Sequence, residues 1–135
     1  AHTEDALWNV LSNLRQLTPT RIITVFGCGG DRDRTKRPKM ARVVSELSDW
    51  AIVTNDNPRS EEPQAIADEV VSGFSGNRHE VILDRVEAIR QALKLAGPND
   101  VVLIAGKGHE DYQIFKDRTV HFDDREIARK LLSSS

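Results

Sequence analysis

Apolar residues run along this chain in two rhythms that take turns. Leu7, Val10, Leu11 and Leu14 recur at helical spacing, with Thr3 available as an N-cap, and predict a first amphipathic helix. RIITVF, residues 21–26, is a β-branched run and predicts a buried strand. It leads into GCGGDRDRTKRPKM, residues 27–40, a Gly-rich and highly charged loop. Met40, Val43, Val44 and Leu47 predict a second helix. WAIVT, residues 50–54, predicts a second strand, and Ile66, Val70 and Val71 a third helix from near Glu62. EVIL, residues 80–83, reads as a third strand. Asp84 followed by Glu87 resembles a capping box, and Ala88, Ala92 and Leu95 continue that helix to a stop at Gly97-Pro98-Asn99. DVVLIAG, residues 100–106, is the strongest strand. The tail offers short strands around Ile114-Phe115 and Val120-Phe122, then a helix capped by Asp123 and running through Leu132.

Strands alternating with helices define an α/β fold: one mostly parallel sheet, flanked by helices on both faces, in a single domain. Composition changes little in that picture. A chain of 135 residues is the size of one domain with its own core. With 19 basic and 21 acidic residues, nothing in the bulk charge draws it to nucleic acid or an anionic membrane. Cys28 stands alone, so no internal disulfide forms, which fits a reducing cytoplasm. No apolar run approaches the ~20 residues that cross a bilayer. The start, Ala1-His2-Thr3, has no initiator Met, which suggests a piece of a longer protein, although Met removal also leaves an Ala start. A monomer is the default expectation.

Ligands of open parallel sheets bind beyond the carboxyl ends of the strands. Three loops are expected there. In the first, Gly27, Gly29 and Gly30 allow backbone to approach a ligand closely. Arg32 occupies the last position of what would be a G-x-G-x-x-G fingerprint, so that motif is broken, and no Walker lysine follows. Arg32, Arg34, Lys36, Arg37 and Lys39 make the loop cationic: an anion site, or else a solvated basic helix start. The second loop, DNPRSEEP (residues 56–63), has turn chemistry in Asp56-Asn57-Pro58. Arg59 on such a turn is either a surface charge or a two-pronged clamp for a carboxylate, oriented by a nearby Asp. The third, GKGHEDYQ (residues 106–113), leaves glycine backbone open at Gly106 and Gly108 beside Glu110 and Asp111. His109 has no paired His or Cys to support a metal site, and Tyr112 reads as a packing residue. Arginines for carboxylates and acids for ammonium groups suit a small zwitterion.

These three motifs, in this order and over essentially the whole chain, closely resemble the C-terminal domain of the Mur ligase family, in the branch that adds meso-diaminopimelate. AHTEDAL resembles that family's D-Y-A-H-x-P-D-A-L segment, with Glu4 where the family has Pro. The resemblance implies a Rossmann-like domain, residues 1–135, that brings the incoming amino acid to an ATP-dependent amide-forming ligase of peptidoglycan precursor synthesis. The acceptor is UDP-MurNAc-L-Ala-D-Glu. It implies that Arg59 clamps the far carboxylate of diaminopimelate, with Asn57 assisting and Asp56 orienting the arginine. Glu110 and the Gly106 backbone receive the far ammonium, and Arg32 takes the carboxylate beside the attacking amine. No catalytic residue or metal ligand is assigned to this chain. The ATP and Mg2+ of the full-length enzyme belong to a central P-loop ATPase domain, and a further domain holds the UDP-substrate. Alone, the chain is expected to bind none of these cofactors and to be inactive. His2 falls near the nucleotide in the family, and Lys36, Arg37 and Lys39 are expected to line the approach to the phosphates. The alternative is a stand-alone module of the same fold that binds a nucleotide or amino acid without a ligase role.

Overall fold

The continuous β-branched runs become the middle of a sheet because they have no polar face to show to water. A computed structural model describes residues 4–17, 21–27, 35–54, 61–97, 100–105 and 112–116. Its strands are β1 (Ile22–Phe26), β2 (Trp50–Val53), β3 (His79–Val81), β4 (Val101–Ala105) and β5 (Tyr112–Lys116). Its helices are α1 (Glu4–Leu17), α2 (Lys36–Leu47), α3 (Pro63–Val71) and α4 (Arg85–Leu95). The sheet order is β3-β2-β1-β4-β5, parallel throughout except for β5, which runs antiparallel to β4.

Alternation along each strand divides the core in two. Ile22, Phe26, Ala51, Val53, Val101, Leu103 and Ala105 face the side covered by α1, α2 and α3, where Leu7, Leu11, Met40, Val44, Ile66 and Val70 are buried against them. Ile23, Val25, Ile52, Val102 and Ile104 face α4, through Ala88, Ile89 and Ala92. The division follows from handedness. Strand–helix–strand crossovers are right-handed, so a helix must change face when the chain reverses its direction across the sheet. The chain steps outward from β1 to β2 to β3, then returns past both to lay β4 on the other side of β1.

Local chemistry sets several boundaries. Asp84 caps α4, its carboxylate accepting from the Glu87 amide at 3.1 Å. Glu62 caps α3 by accepting from the Ala65 amide at 2.9 Å, with Pro63 at the first helical position, where no amide is needed. Three expectations shift. Helix α2 begins at Lys36, so KRPKM is helical rather than loop. Strand β3 covers His79–Val81 rather than EVIL. The tail's first strand is longer than expected and forms the antiparallel edge. Thr3, the strand expected around Val120-Phe122 and the helix from Asp123 lie outside the described residues.

Candidate functional site at the carboxyl edge of the sheet

Strand register brings the three loops to one edge. Phe26 pairs with Val53 and Val25 with Ile104, so β1, β2 and β4 end within one residue of a common level. Beyond that level the chain continues into residues 28–34, 55–60 and 106–111. The reversal of strand order falls between β1, which leads on to β2, and β4, which leads on to β5 on the other side; ligands of open α/β sheets bind at such a point. Strand β5 pairs Tyr112 with Ala105, which makes residues 106–111 the connection of an antiparallel pair.

The stems of the second loop are held firmly. At the near stem, Thr54 is 4% exposed. Its amide donates to the Phe26 carbonyl at 2.9 Å and its hydroxyl to the Leu83 carbonyl at 3.2 Å. This ties β2 to both the end of β1 and the turn before α4. At the far stem stands Glu61. Its Oε2 lies 2.7 Å from Nη2 of Arg37 and its Oε1 3.1 Å from Nη1, a fork on a fork. Glu69, two turns along α3, adds an oxygen 3.2 Å from the same Nη1. Arg37 is 1% exposed, so both carboxylates meet a guanidinium withdrawn from water.

That burial corrects the expectation for Arg37. It neither lines an approach to phosphates nor is solvated at a helix start; it is a core residue. The sequence held a signal of this, since Arg37, Met40, Ala41 and Val44 share one helical face and all are buried. Its neighbours Lys36 and Lys39 are exposed. Helix α2 has no acidic residue in its first turn, so nothing in its own first turn offsets the positive end of its dipole. Glu61, just before the cap of α3, and Glu69, within α3, supply negative charge there. Sequence reading assigned no role to Thr54, Glu61 or Glu69: Thr54 closes the WAIVT run, Glu61 lies within DNPRSEEP, and Glu69 belongs to no motif.

Arg32, Asp56, Asn57, Arg59, Gly106 and Glu110 lie outside the described residues, as do His2 and His109; what the structure describes is the frame that carries them. The side chain of Tyr112 is likewise outside the description. Among the described residues, no group of three or more His, Cys, Asp or Glu side chains could hold a metal ion. The Asp100 carboxyl, at the opposite, amino edge, has a clearly displaced pKa. Burial, the largest single influence on Asp100, pushes its pKa up. The Gly97 amide and the guanidinium and amide of Arg21 together outweigh burial and hold it below the usual carboxylate range. Its distances, 2.8 Å to Arg21 Nη2 and 2.8 Å to the Gly97 amide, mark it as a brace between β1 and the turn before β4.

An open α/β sheet that gathers three loops around a reversal of strand order is a ligand-binding architecture, and here its family is explicit. The chain belongs to the Mur ligase family: the family's model described as "Mur ligase, glutamate ligase domain" matches residues 1–108. Among named relatives, the UDP-N-acetylmuramoyl-L-alanyl-D-glutamate–2,6-diaminopimelate ligase of Clostridium botulinum is 54% identical over 98% of this chain. The protein of the same name from a Nostoc species is 56% identical, again over 98% of the chain. A solved structure of a ligase of that name superposes with a TM-score of 0.83 over 99% of the chain at 42% identity. The chain spans about 27% of the length of these curated relatives.

Proposed function

We propose that this chain, residues 1–135, is the C-terminal domain of an ATP-dependent ligase that joins meso-diaminopimelate to UDP-MurNAc-L-Ala-D-Glu in peptidoglycan precursor synthesis. The observation that carries the reading is identity above half, over nearly the whole chain, to ligases whose names state that amino acid. The loop sequences agree with it on chemical grounds. Diaminopimelate has a carboxylate and an ammonium at its far end, where lysine has an ammonium alone. A site that prefers it needs a cation held at that end, and DNPR provides one on a proline-stiffened turn.

In this reading Arg59 grips the far carboxylate with two parallel N–H···O bonds, Asn57 adds a donor, and Asp56 orients the guanidinium. Glu110 and the Gly106 carbonyl accept from the far ammonium. Arg32 holds the carboxylate beside the attacking amine. With both ends fixed, that amine meets an acyl phosphate made from the D-glutamyl γ-carboxylate. Its lone pair forms the C–N bond, the C–O bond to phosphate breaks, and the amine loses a proton. The domain's contribution is orientation, which makes attack on the bound acyl group effectively intramolecular. ATP and Mg2+ are assigned to the remainder of the full-length protein, as is the acceptor nucleotide, in a cytoplasmic setting where these precursors are made.

Arg59→Ala in the full-length ligase tests this reading. Stranding a desolvated carboxylate costs about 2–5 kcal/mol, so kcat/KM for meso-diaminopimelate should fall by roughly 30-fold to several thousandfold, at a factor of ten per 1.4 kcal/mol. The preference over L-lysine should fall with it. Unchanged kinetics would remove Arg59 from the site. Failure of the wild-type ligase to use meso-diaminopimelate would remove the function.

A further inference from the structure

Arg37 is the large charged side chain buried deepest among the described residues, and the proposed chemistry does not use it. Its position is particular. It sits on the second residue of α2, directly after the first loop. Its main partner, Glu61, is two residues beyond Arg59 in the chain and directly before the Glu62 cap of α3. The ion pair therefore joins the far stem of one loop to the far stem of another. Close backbone contact reinforces the same junction. A Cβ built on Gly73, just beyond α3, would lie 2.0 Å from the Pro38 carbonyl oxygen, so α3's carboxyl end rests directly on the first turn of α2.

We propose that Arg37 is a positioning residue for amino-acid selection: its buried fork on Glu61 fixes the far stem of residues 55–60 against α2 and thereby sets where Arg59 is presented. This rests on the reading of Asp56, Asn57 and Arg59 as the diaminopimelate clamp. Two observations make the device directional. Thr54 pins the near stem to β1 and to the turn before α4 by hydrogen bonds within 3.2 Å, so with the Arg37 fork both stems are anchored and the direction of the segment between them is set. And the guanidinium engages both Glu61 oxygens at once, which fixes direction as well as distance, as a lysine ammonium would not.

The test compares Glu61→Gln, Arg37→Lys and Asp49→Asn in the full-length ligase. Asp49 is the control. It forms a partly exposed ion pair with Arg15 at 2.9 Å, on the amino edge of the same sheet and away from the loops. Each variant is measured for thermal midpoint and for KM of meso-diaminopimelate and of ATP. Glu61→Gln is expected to raise the meso-diaminopimelate KM by about tenfold or more, since small misplacement of a positioning group has large kinetic effects, while the ATP KM stays at the wild-type value. Arg37→Lys, which keeps the charge and loses the fork, should show the same split to a smaller degree. It serves as the reading if Glu61→Gln does not fold. Asp49→Asn should lower the midpoint with both KM values unchanged. If Glu61→Gln and Arg37→Lys behave as Asp49→Asn does, the ion pair is structural and the proposal is overturned. If wild type forms no amide with meso-diaminopimelate, the functional reading fails and takes this one with it.

Discussion

Thr24 and Ser48 show how a single hydroxyl is used inside the core. Both are buried, and the Thr24 hydroxyl donates to Ser48 Oγ at 2.8 Å. The Ser48 hydroxyl lies 2.9 Å from the Ile22 carbonyl and 2.9 Å from the Trp50 carbonyl, and its one proton serves one of them at a time. The two ends of the pair are thus unequal. Ser48→Ala strands the Thr24 donor and should cost about 1–3 kcal/mol, whereas Thr24→Val leaves Ser48 its carbonyls and should cost less than about 1.5 kcal/mol. Urea unfolding of both variants checks this; equal losses would contradict the assigned direction of donation. Asp100 gives a prediction in pH. Its carboxyl has a folded-state pKa below the unfolded one. The stability it contributes is therefore complete above the unfolded pKa, about 4, and is lost as pH falls through the folded value. Thermal midpoints measured from neutral to acid pH should decline less steeply below pH ~4 in Asp100→Asn than in wild type. None of these partnerships was legible in the sequence, because each joins residues more than twenty positions apart or straddles a strand boundary.

Elements with a strong local signal were read well from the sequence. Helix α4 announced itself by Asp84 and Glu87, and the structure has that cap. Helix α1 followed from Leu7 and Leu11, both fully buried. Helix α2 begins earlier than its sequence suggests, since basic residues around a proline look like loop. Proline is harmless in the first turn, where its missing amide would have no partner, and the acids that neutralise Arg37 come from the segment just before α3 and from α3 itself. Strand β3 starts one residue earlier and ends two residues earlier than EVIL, because its neighbour sets the register, Ala51 with His79 through Val53 with Val81. The junction of α2 with α3 yields a prediction at this scale. Gly73→Ala would drive a Cβ into the Pro38 backbone, 2.0 Å from its oxygen and 2.6 Å from its carbonyl carbon. Backbone cannot rotate away as a side chain does, so the helices must part, at a cost of about 1–3 kcal/mol. Denaturant titration would register it, and a neutral outcome would mean that the contact is looser than described.

For the whole molecule, the reversal of strand order decides where function is placed. It sets β1 beside β4 and brings loops separated by some eighty residues of chain to one edge. The proposal that phosphorylation occurs elsewhere in the full-length protein carries its own expectation. Given ATP, UDP-MurNAc-L-Ala-D-Glu and meso-diaminopimelate, the 135-residue chain should release no phosphate and form no amide, while the full-length ligase does both. Phosphate release by the chain alone would refute that division of labour.

By itself the sequence determined the periodicity of every long element, the α/β class and the three loops that hold candidate chemistry. Hydrophobic period and turn residues are local properties, and local properties survive without coordinates. Tertiary structure alone decided the strand order, the antiparallel edge and the burial of Arg37. An arginine in a run of basic residues reads as a surface charge until its counter-ions are known. Here they are Glu61 and Glu69, 24 and 32 positions away. Only folding brings them to it, and only that approach lets the charge leave water.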